Sequence, residues 1–370
     1  MLKNITIPEE LIPTDPRFGS GPSLLKVESM KKMAETGAHL LGTSHRKFMV
    51  KDLVKEVQEG LAKYFNIPEG YEIVFGNGGA TFFWDMMGLG LVEKKAHCFV
   101  TGEFSNKCFK ALDNISWIET VKTEVDYGRG VEITDDGESD LICSVLNETS
   151  TGVQITKMPD RREGRLLAID ATSGAGQIQC DLNKIDIYYF SPQKAFGSEG
   201  GLFIAIMSPQ AIERALRLRD NKNYCPVIMD FKLAIDNSRK NQTYNTPSLS
   251  TFFFLNEQIK EFNSLGEARV CEMAQEKADY IYSWAEDKPH LECFIEEQNY
   301  RSNSVATINV DEKFDVVEIA SWLRDQKIAY DIESYRKLGK NQMRISLFHN
   351  VSLENLKKLT QVLDLIFQNN

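Results

Sequence analysis

Lys194 follows YYFSPQ and precedes AFGSEGG, so a lysine enters a glycine-flanked turn directly after an apolar stretch. Lysine ordinarily stays solvated. Held at such a place it loses part of its hydration, its pKa falls, and the amine becomes nucleophilic enough to condense with a carbonyl; the plain alternative is a surface lysine. Asp170 closes the run LLAID and is followed by the small residues ATS. A carboxylate at a buried strand end is costly unless paired, and a protonated ring nitrogen is one suitable partner, since the negative charge keeps such a ring an electron sink. Capping the next turn would satisfy it as well. The stretch Gly76-Asn77-Gly78-Gly79-Ala80-Thr81 opens the apolar segment FFWDMMGLGL. Its glycines admit close approach of an anion to backbone N–H groups, and a helix N-terminus adds its dipole, so a phosphate fits there. A tight strand-to-helix turn explains the glycines equally. The pattern is neither G-x-G-x-x-G nor a P-loop, so both nucleotide signatures fail. Phe104 in TGEFSNK could cover the face of a flat ring, and Thr149 in NETSTG could hydrogen-bond a ring hydroxyl. As a core aromatic and a turn residue, neither would be unusual.

These residues need elements to hold them. Short apolar runs stand at Glu72–Phe75, Ala96–Val100, Leu141–Leu146, Leu166–Ile169, Ile187–Phe190 and Leu202–Met207. They are too short for helices and near-continuously apolar, which marks strands buried on both faces of a largely parallel sheet. Helical stretches such as Ser105–Leu112 lie between them, so right-handed crossovers and a doubly wound α/β domain are expected. Ligands of open α/β sheets sit beyond the carboxyl ends of the strands. There the sequence collects GNGGAT, TGEFS, NETSTG, Asp170-Ala-Thr-Ser and Ser191-Pro-Gln-Lys194 on one rim. Asp170 and Lys194 are one strand–turn–strand unit apart. The last third reads as helices over Ser248–Leu265 and Glu267–Glu286, broken at Gly266. Strand, helix, strand, strand and helix follow at Ser304–Val310, Val316–Gln326, Ile328–Ile332, Met343–Leu347 and Leu353–Phe367. The expected division is a large domain over 18–247 and a small α+β domain from 1–17 and 248–370. Asn221–Phe231 reads as a lid or a loop.

Net charge is −10, which disfavours nucleic acid, because an acidic chain repels phosphodiesters. No apolar run reaches about 18 residues, so no membrane span is expected. The start reads as no secretory signal. Seven scattered cysteines without a C-x-x-C pair read as reduced, buried, structural thiols in a cytoplasmic protein. Five dispersed histidines give no metal pattern.

The ordered set FGSGPS, GTSHR, GNGGAT, TGEFS, NETSTG, DATSGAG, YYFSPQK, NQTYNTPS and YRKLGKNQMR resembles the fold-type I pyridoxal-phosphate (PLP) enzymes. More narrowly it resembles the phosphoserine aminotransferases, in the form carried by their actinobacterial branch, from about Phe18 to the C-terminus. The resemblance implies a seven-stranded, mostly parallel sheet and PLP bonded to Lys194, which later moves the proton between the substrate α-carbon and the cofactor. It implies Asp170 at the pyridine nitrogen, Phe104 on the ring face and Thr149 on the ring-hydroxyl side. Gly79, Ala80, Thr81 and Gln193 would bind around the cofactor and its phosphate, with Asn245 and Thr246 reaching it from the partner subunit of a homodimer. Arg344 would hold the substrate α-carboxylate by a bidentate bond. His45, Arg46 and Arg336 would face the substrate phosphate, or the distal carboxylate of glutamate. Four places depart from the commoner family form: Phe104 stands for Trp, Tyr335-Arg336 for His-Arg, Asn341-Gln342-Met343-Arg344 for Gly-Gly-Met-Arg, and Ala80 for Arg or Ser.

The implied reaction is ping-pong transfer of an amino group from glutamate to 3-phosphohydroxypyruvate, giving O-phosphoserine and 2-oxoglutarate in serine biosynthesis. A related phosphorylated threonine derivative would tie the same chemistry to vitamin B6. The alternatives are an alanine–glyoxylate or serine–pyruvate aminotransferase, which needs no second cationic site, and a non-catalytic scaffold, which needs no lysine at the rim. A cysteine desulfurase fits less well, since Cys293 lies in the strand-like LECFIEE.

Overall fold

A computed structural model of the chain describes Leu2 and residues 5–219 and 224–369. Its strands are β1 (Glu72–Asn77), β2 (Lys95–Val100), β3 (Glu119–Glu124), β4 (Leu141–Val145), β5 (Asn147–Glu148), β6 (Val153–Gln154), β7 (Leu166–Asp170), β8 (Ile187–Phe190), β9 (Leu202–Met207), β10 (Leu291–Cys293), β11 (Val305–Val310) and β12 (Gln342–Ser346). The α-helices are α1 (Val27–Thr36), α2 (Phe48–Tyr64), α3 (Gly79–Leu91), α4 (Glu103–Asp113), α5 (Pro209–Arg219), α6 (Phe231–Ser238), α7 (Leu249–Leu265), α8 (Glu267–Glu286), α9 (Val316–Asp325) and α10 (Leu353–Gln368).

The main sheet has seven strands in the order β1-β9-β8-β7-β4-β2-β3. The run from β8 through β7, β4 and β2 to β3 is parallel, while β9 runs antiparallel to β8 and β1. Every residue of β4, β7, β8 and β9 is buried, as strands covered on both faces require. Alternate side chains feed two cores. Ile142, Ile169, Tyr188 and Phe190 pack against α2 and α7, whereas Leu141, Cys143, Ala168 and Tyr189 pack against α3, α4, α5 and α6. A separate core lies under the three-stranded sheet β10-β11-β12, built with α8, α9 and α10 and including Leu2 and Phe18. Gly266, at φ 81°, supplies the left-handed turn that separates α7 from α8.

Three expectations need correction. Ile328–Ile332 forms no ladder strand: Tyr330 makes a single bridge to Arg17, and Lys327 and Asp331 take positive φ, so Ile328, Ala329 and Ile332 enter the small core from a loop whose Asp331 stays exposed. The strand β3, ETVKTE, was not apparent, because an edge strand paired only to β2 keeps its polar residues in water. The cysteines are all free, but Cys180, Cys225 and Cys271 are only partly buried, unlike Cys98, Cys108, Cys143 and Cys293. Of the segment Asn221–Phe231, residues 221–223 lie outside the described residues; Val227–Met229 is a 3-10 turn leading into α6. No helix among the described residues is long and apolar enough to cross a membrane.

Phe262 of α7 is fully buried, with ring centroids 5.1 Å from Tyr64 and from Phe196 and 4.8 Å from His349. It therefore joins a helix of the outer layer to the turn that follows Lys194. Phe262→Ala is expected to lower stability by about 3–5 kcal/mol in urea titrations followed by fluorescence. A loss below about 1 kcal/mol would mean that α7 does not depend on this aromatic cluster.

Candidate active site

At the carboxyl ends of β4, β7 and β8 the rim closes on a cavity of about 160 Å³. Lys194 sits in the turn after β8, fixed by the Gly197 N–H donating to the Lys194 carbonyl (2.8 Å) and the Ser191 hydroxyl donating to the Leu202 carbonyl (2.8 Å). Its side chain is only 8 % exposed. The amine donates to Thr149 Oγ1 at 2.9 Å and lies 4.9 Å from the centre of the Phe104 ring. Burial, and next the charge of Arg344, pull the Lys194 pKa down to about 8; Asp170 and Glu148 act in the opposite direction. Asp170 ends β7, accepts from Trp84 Nε1 at 3.2 Å and from the Thr172 N–H at 2.9 Å, and is pushed up to about 6 by burial. On the facing wall Gly78 and Gly79 take φ 127° and 77° where α3 begins. A Cβ on Gly79 would lie 3.2 Å from Ser191 Oγ, and α3 has no side-chain cap, so its first N–H groups are free for a ligand.

Beside the cavity a cleft of about 740 Å³ is lined by Ser20, Ser23, Tyr335, Arg336 and Arg344. Arg344 projects from β12 and donates from Nη1 to the Thr149 carbonyl at 3.4 Å, while its Nε is buried without a partner. Residues 18–24 pass over the lysine. The Ser346 N–H donates to the Phe18 carbonyl at 2.9 Å and the Ser23 N–H to the Gln193 carbonyl at 2.7 Å. Any side chain at Gly21 would meet Lys194 Cε at 2.9 Å.

This polar lining suits a planar heteroaromatic phosphate. Gln193 Oε1, Thr172 Oγ1 and Asn147 Oδ1 are buried around the cavity with no partner. Asp170 could pair with a cationic N–H, Phe104 offers a ring face, and the α3 terminus offers anion-binding amides. Among the described residues no group of three or more His, Cys, Asp or Glu could hold a metal ion.

The class-V aminotransferase family model matches residues 18–359. A phosphoserine aminotransferase of Rhodococcus jostii is 41% identical over 361 residues, covering 97% of this chain and 96% of that protein. The chain belongs to the phosphoserine aminotransferases. Among solved structures, a phosphoserine aminotransferase from Cytophaga hutchinsonii superposes with TM-score 0.85 at 26% identity, covering 95% of this chain and 98% of that one. A PLP-bound member from Trichomonas vaginalis, at 22% identity, covers 94% and 99% with TM-score 0.81 and so shares the fold.

In this family member Gly79, Ala80, Thr81 and Phe104 line one cavity together with Thr149, Asp170, Gln193 and Lys194. Arg336 and Arg344 line the cleft next to it. His45, Arg46, Asn245 and Thr246 line neither. They form a group of their own, in which the Thr246 hydroxyl meets His45 Nδ1 at 3.2 Å and Asn77 Nδ2 donates to the Thr246 carbonyl at 3.0 Å. Sequence reasoning passed over Trp84, which sits unmarked inside an apolar helix yet holds Asp170. It also passed over Glu148, a fully buried carboxylate that accepts from the Phe104 N–H (3.2 Å), the Ser105 N–H (2.9 Å) and the Ser150 hydroxyl (2.7 Å). A glutamate inside the otherwise small, polar stretch NETSTG was the available signal.

The Lys194 pKa, about 8 in the fold against 10.5 for an ordinary lysine, has a definite consequence for stability. Between these values the unfolded chain binds more protons, so stability rises with pH. Below about 8 the buried ammonium costs on the order of a few kcal/mol, and the cost fades as pH climbs to 10.5. Cofactor-free Lys194→Met is therefore expected to be more stable than the unsubstituted protein at pH 7, with the gap closing toward pH 10.5 in denaturant titrations. A gap that stays constant with pH would show that the lysine is not desolvated.

Proposed function

We propose that the cavity holds pyridoxal phosphate bonded through Lys194, and that the chain uses it in the phosphoserine aminotransferase reaction. Glutamate gives the amino group and 3-phosphohydroxypyruvate receives it, yielding O-phosphoserine for serine biosynthesis. The observation that carries this reading is the juxtaposition of a desolvated lysine amine, a buried aspartate and an uncapped helix N-terminus in one small cavity. When bound, the cofactor supplies an electron sink for the pair released at the substrate α-carbon. Lys194, with an amine near neutral pKa, takes and returns the α-proton. Asp170 keeps the ring nitrogen protonated; Phe104 covers one ring face and Thr149 serves the ring-hydroxyl side. Gly79, Ala80, Thr81 and Gln193 bind around the phosphate. Arg344, whose Nε is unpartnered, takes the α-carboxylate, and Arg336 takes the distal anion.

We further propose a cytoplasmic homodimer in which the second subunit brings His45, Arg46, Asn245 and Thr246 to the site. Two features support it: these four residues lie outside their own chain's cavity and cleft, and Leu41, Phe48 (81 % exposed) and Met49 leave apolar surface uncovered beside them. The domain division near residue 247 is likewise proposed, with α7 lending its apolar face to the large domain.

Absorbance tests the reaction. The protein with PLP is expected to show a visible-edge band that Lys194→Ala abolishes and that O-phosphoserine bleaches while alanine does not. Equal bleaching by alanine would leave the cofactor and remove the phosphate specificity; no band would remove both. Subunit sharing has its own test. Co-refolded Lys194→Ala and Asn245→Ala chains, each inactive alone, are expected to recover about a quarter of full activity, because half the dimers then carry one intact site. No recovery would mean that each chain builds its site alone.

A further inference from the structure

Lys107 lies one turn after Phe104 on α4, on the same helix face. Its amine donates to the Tyr335 hydroxyl at 3.3 Å and lies 4.9 Å from the centre of the Phe104 ring. Tyr335 comes from the opposite side, on the loop before β12, and lines the cleft with Arg336 and Arg344; its ring is 5.7 Å from that of Phe104 and 5.4 Å from the Arg344 guanidinium carbon. The aromatic pair thus carries Lys107 and Lys194 around Phe104, with Arg344 against Tyr335.

Among the described residues Lys107 has no carboxylate within ion-pair distance, and neither have Arg336 and Arg344. Of the acids nearby, Glu103 accepts from Lys337 at 3.1 Å, Glu333 is bonded to Arg324 and Asp331 lies 3.7 Å from the same guanidinium, while Glu199 also lines the cleft. On a chain of net charge −10, Arg336 and Arg344 line the cleft without a carboxylate partner and Lys107 joins them through Tyr335, a set of cations that points to an anionic ligand. Tyr335 receives the lysine proton on its oxygen and keeps its own O–H to give. A hydroxyl that accepts from an ammonium is polarised and becomes a stronger donor.

We propose that Lys107, acting with the Tyr335 hydroxyl, is a specificity-determining residue that receives the distal anion of the substrate and favours a phosphate dianion over a carboxylate monoanion. Attraction to a fixed cation scales with ligand charge, so the pair adds more for O-phosphoserine than for glutamate. This rests on the aminotransferase reading above. Lys107 is half-buried, and its amine sits against Tyr335, which lines the cleft.

Steady-state kinetics of the PLP-loaded enzyme decide it, with inorganic phosphate as a competing probe. Lys107→Met is expected to raise KM for O-phosphoserine about tenfold or more, and for glutamate by no more than about threefold, the scale of one charge-assisted hydrogen bond. The loss is expected in KM rather than kcat, with a parallel weakening of phosphate inhibition. Lys107→Arg should recover most of it, and Tyr335→Phe should fall between. KM values that stay unchanged, or that rise by the same factor for both substrates without rescue by Lys107→Arg, would overturn the proposal. If the unsubstituted enzyme turns over alanine as readily as O-phosphoserine, the substrate reading fails and the role of Lys107 falls with it. A normal preference for O-phosphoserine that Lys107→Met leaves intact removes Lys107 alone.

Discussion

An amine held out of water with no carboxylate against it is the constraint around which the site is built. Lys194 has a hydroxyl, Thr149 Oγ1, as its hydrogen-bond partner, and burial is the largest influence on its pKa. A carboxylate in direct contact would have raised that pKa and quenched the amine as a nucleophile. The fold instead keeps its two acids at a remove. Asp170, on the neighbouring strand, and Glu148, just before Thr149, are felt through their charge, and the Arg344 charge opposes them. The amine is left near neutrality, where it can both bond a carbonyl and carry a proton.

Glu148 shows how a buried acid can be afforded without a cation. It is completely enclosed, and the N–H groups of Phe104 and Ser105 at the start of α4 supply its hydrogen bonds, aided by the helix dipole. The same bonds place the Phe104 ring beside the lysine, while the next residue in the chain is Thr149. One carboxylate therefore fixes the ring face and the hydroxyl together.

The chain around the three-stranded sheet is fastened to this rim by polar contacts spread over several segments. Gln177 Nε2 donates to Ser304 Oγ at 2.8 Å, and its Oε1 accepts from the His349 N–H at 3.0 Å. Lys277, enclosed in α8, donates to the Phe348 carbonyl at 2.7 Å, and Asn350 Nδ2 donates to the Leu24 carbonyl at 2.9 Å. These bonds hold the chain that leaves β12, and hence Arg344, at a set distance from Lys194. They also keep residues 18–24 lying across the lysine, where only glycine fits at position 21.

The local periodicities of residues 72–207 were enough to read the parallel strands, because strands buried on both faces must be apolar throughout. The polar residues at their carboxyl ends marked the rim, since an α/β sheet leaves nowhere else for them. Where burial was one-sided or absent, as in β3, the pattern faded; where an apolar run was buried without pairing, as in Ile328–Ile332, it misled. Residue types and order thus determined the sheet, the rim and the placement of Lys194 and Asp170 on it. Only the tertiary structure decided that Trp84 braces Asp170, that Glu148 sets Phe104 and Thr149, and that Lys107 meets Tyr335 across 228 positions. It also set His45, Arg46, Asn245 and Thr246 apart from their own chain's cavity. Each of these depends on distances between elements remote in sequence, which packing sets and local pattern does not encode.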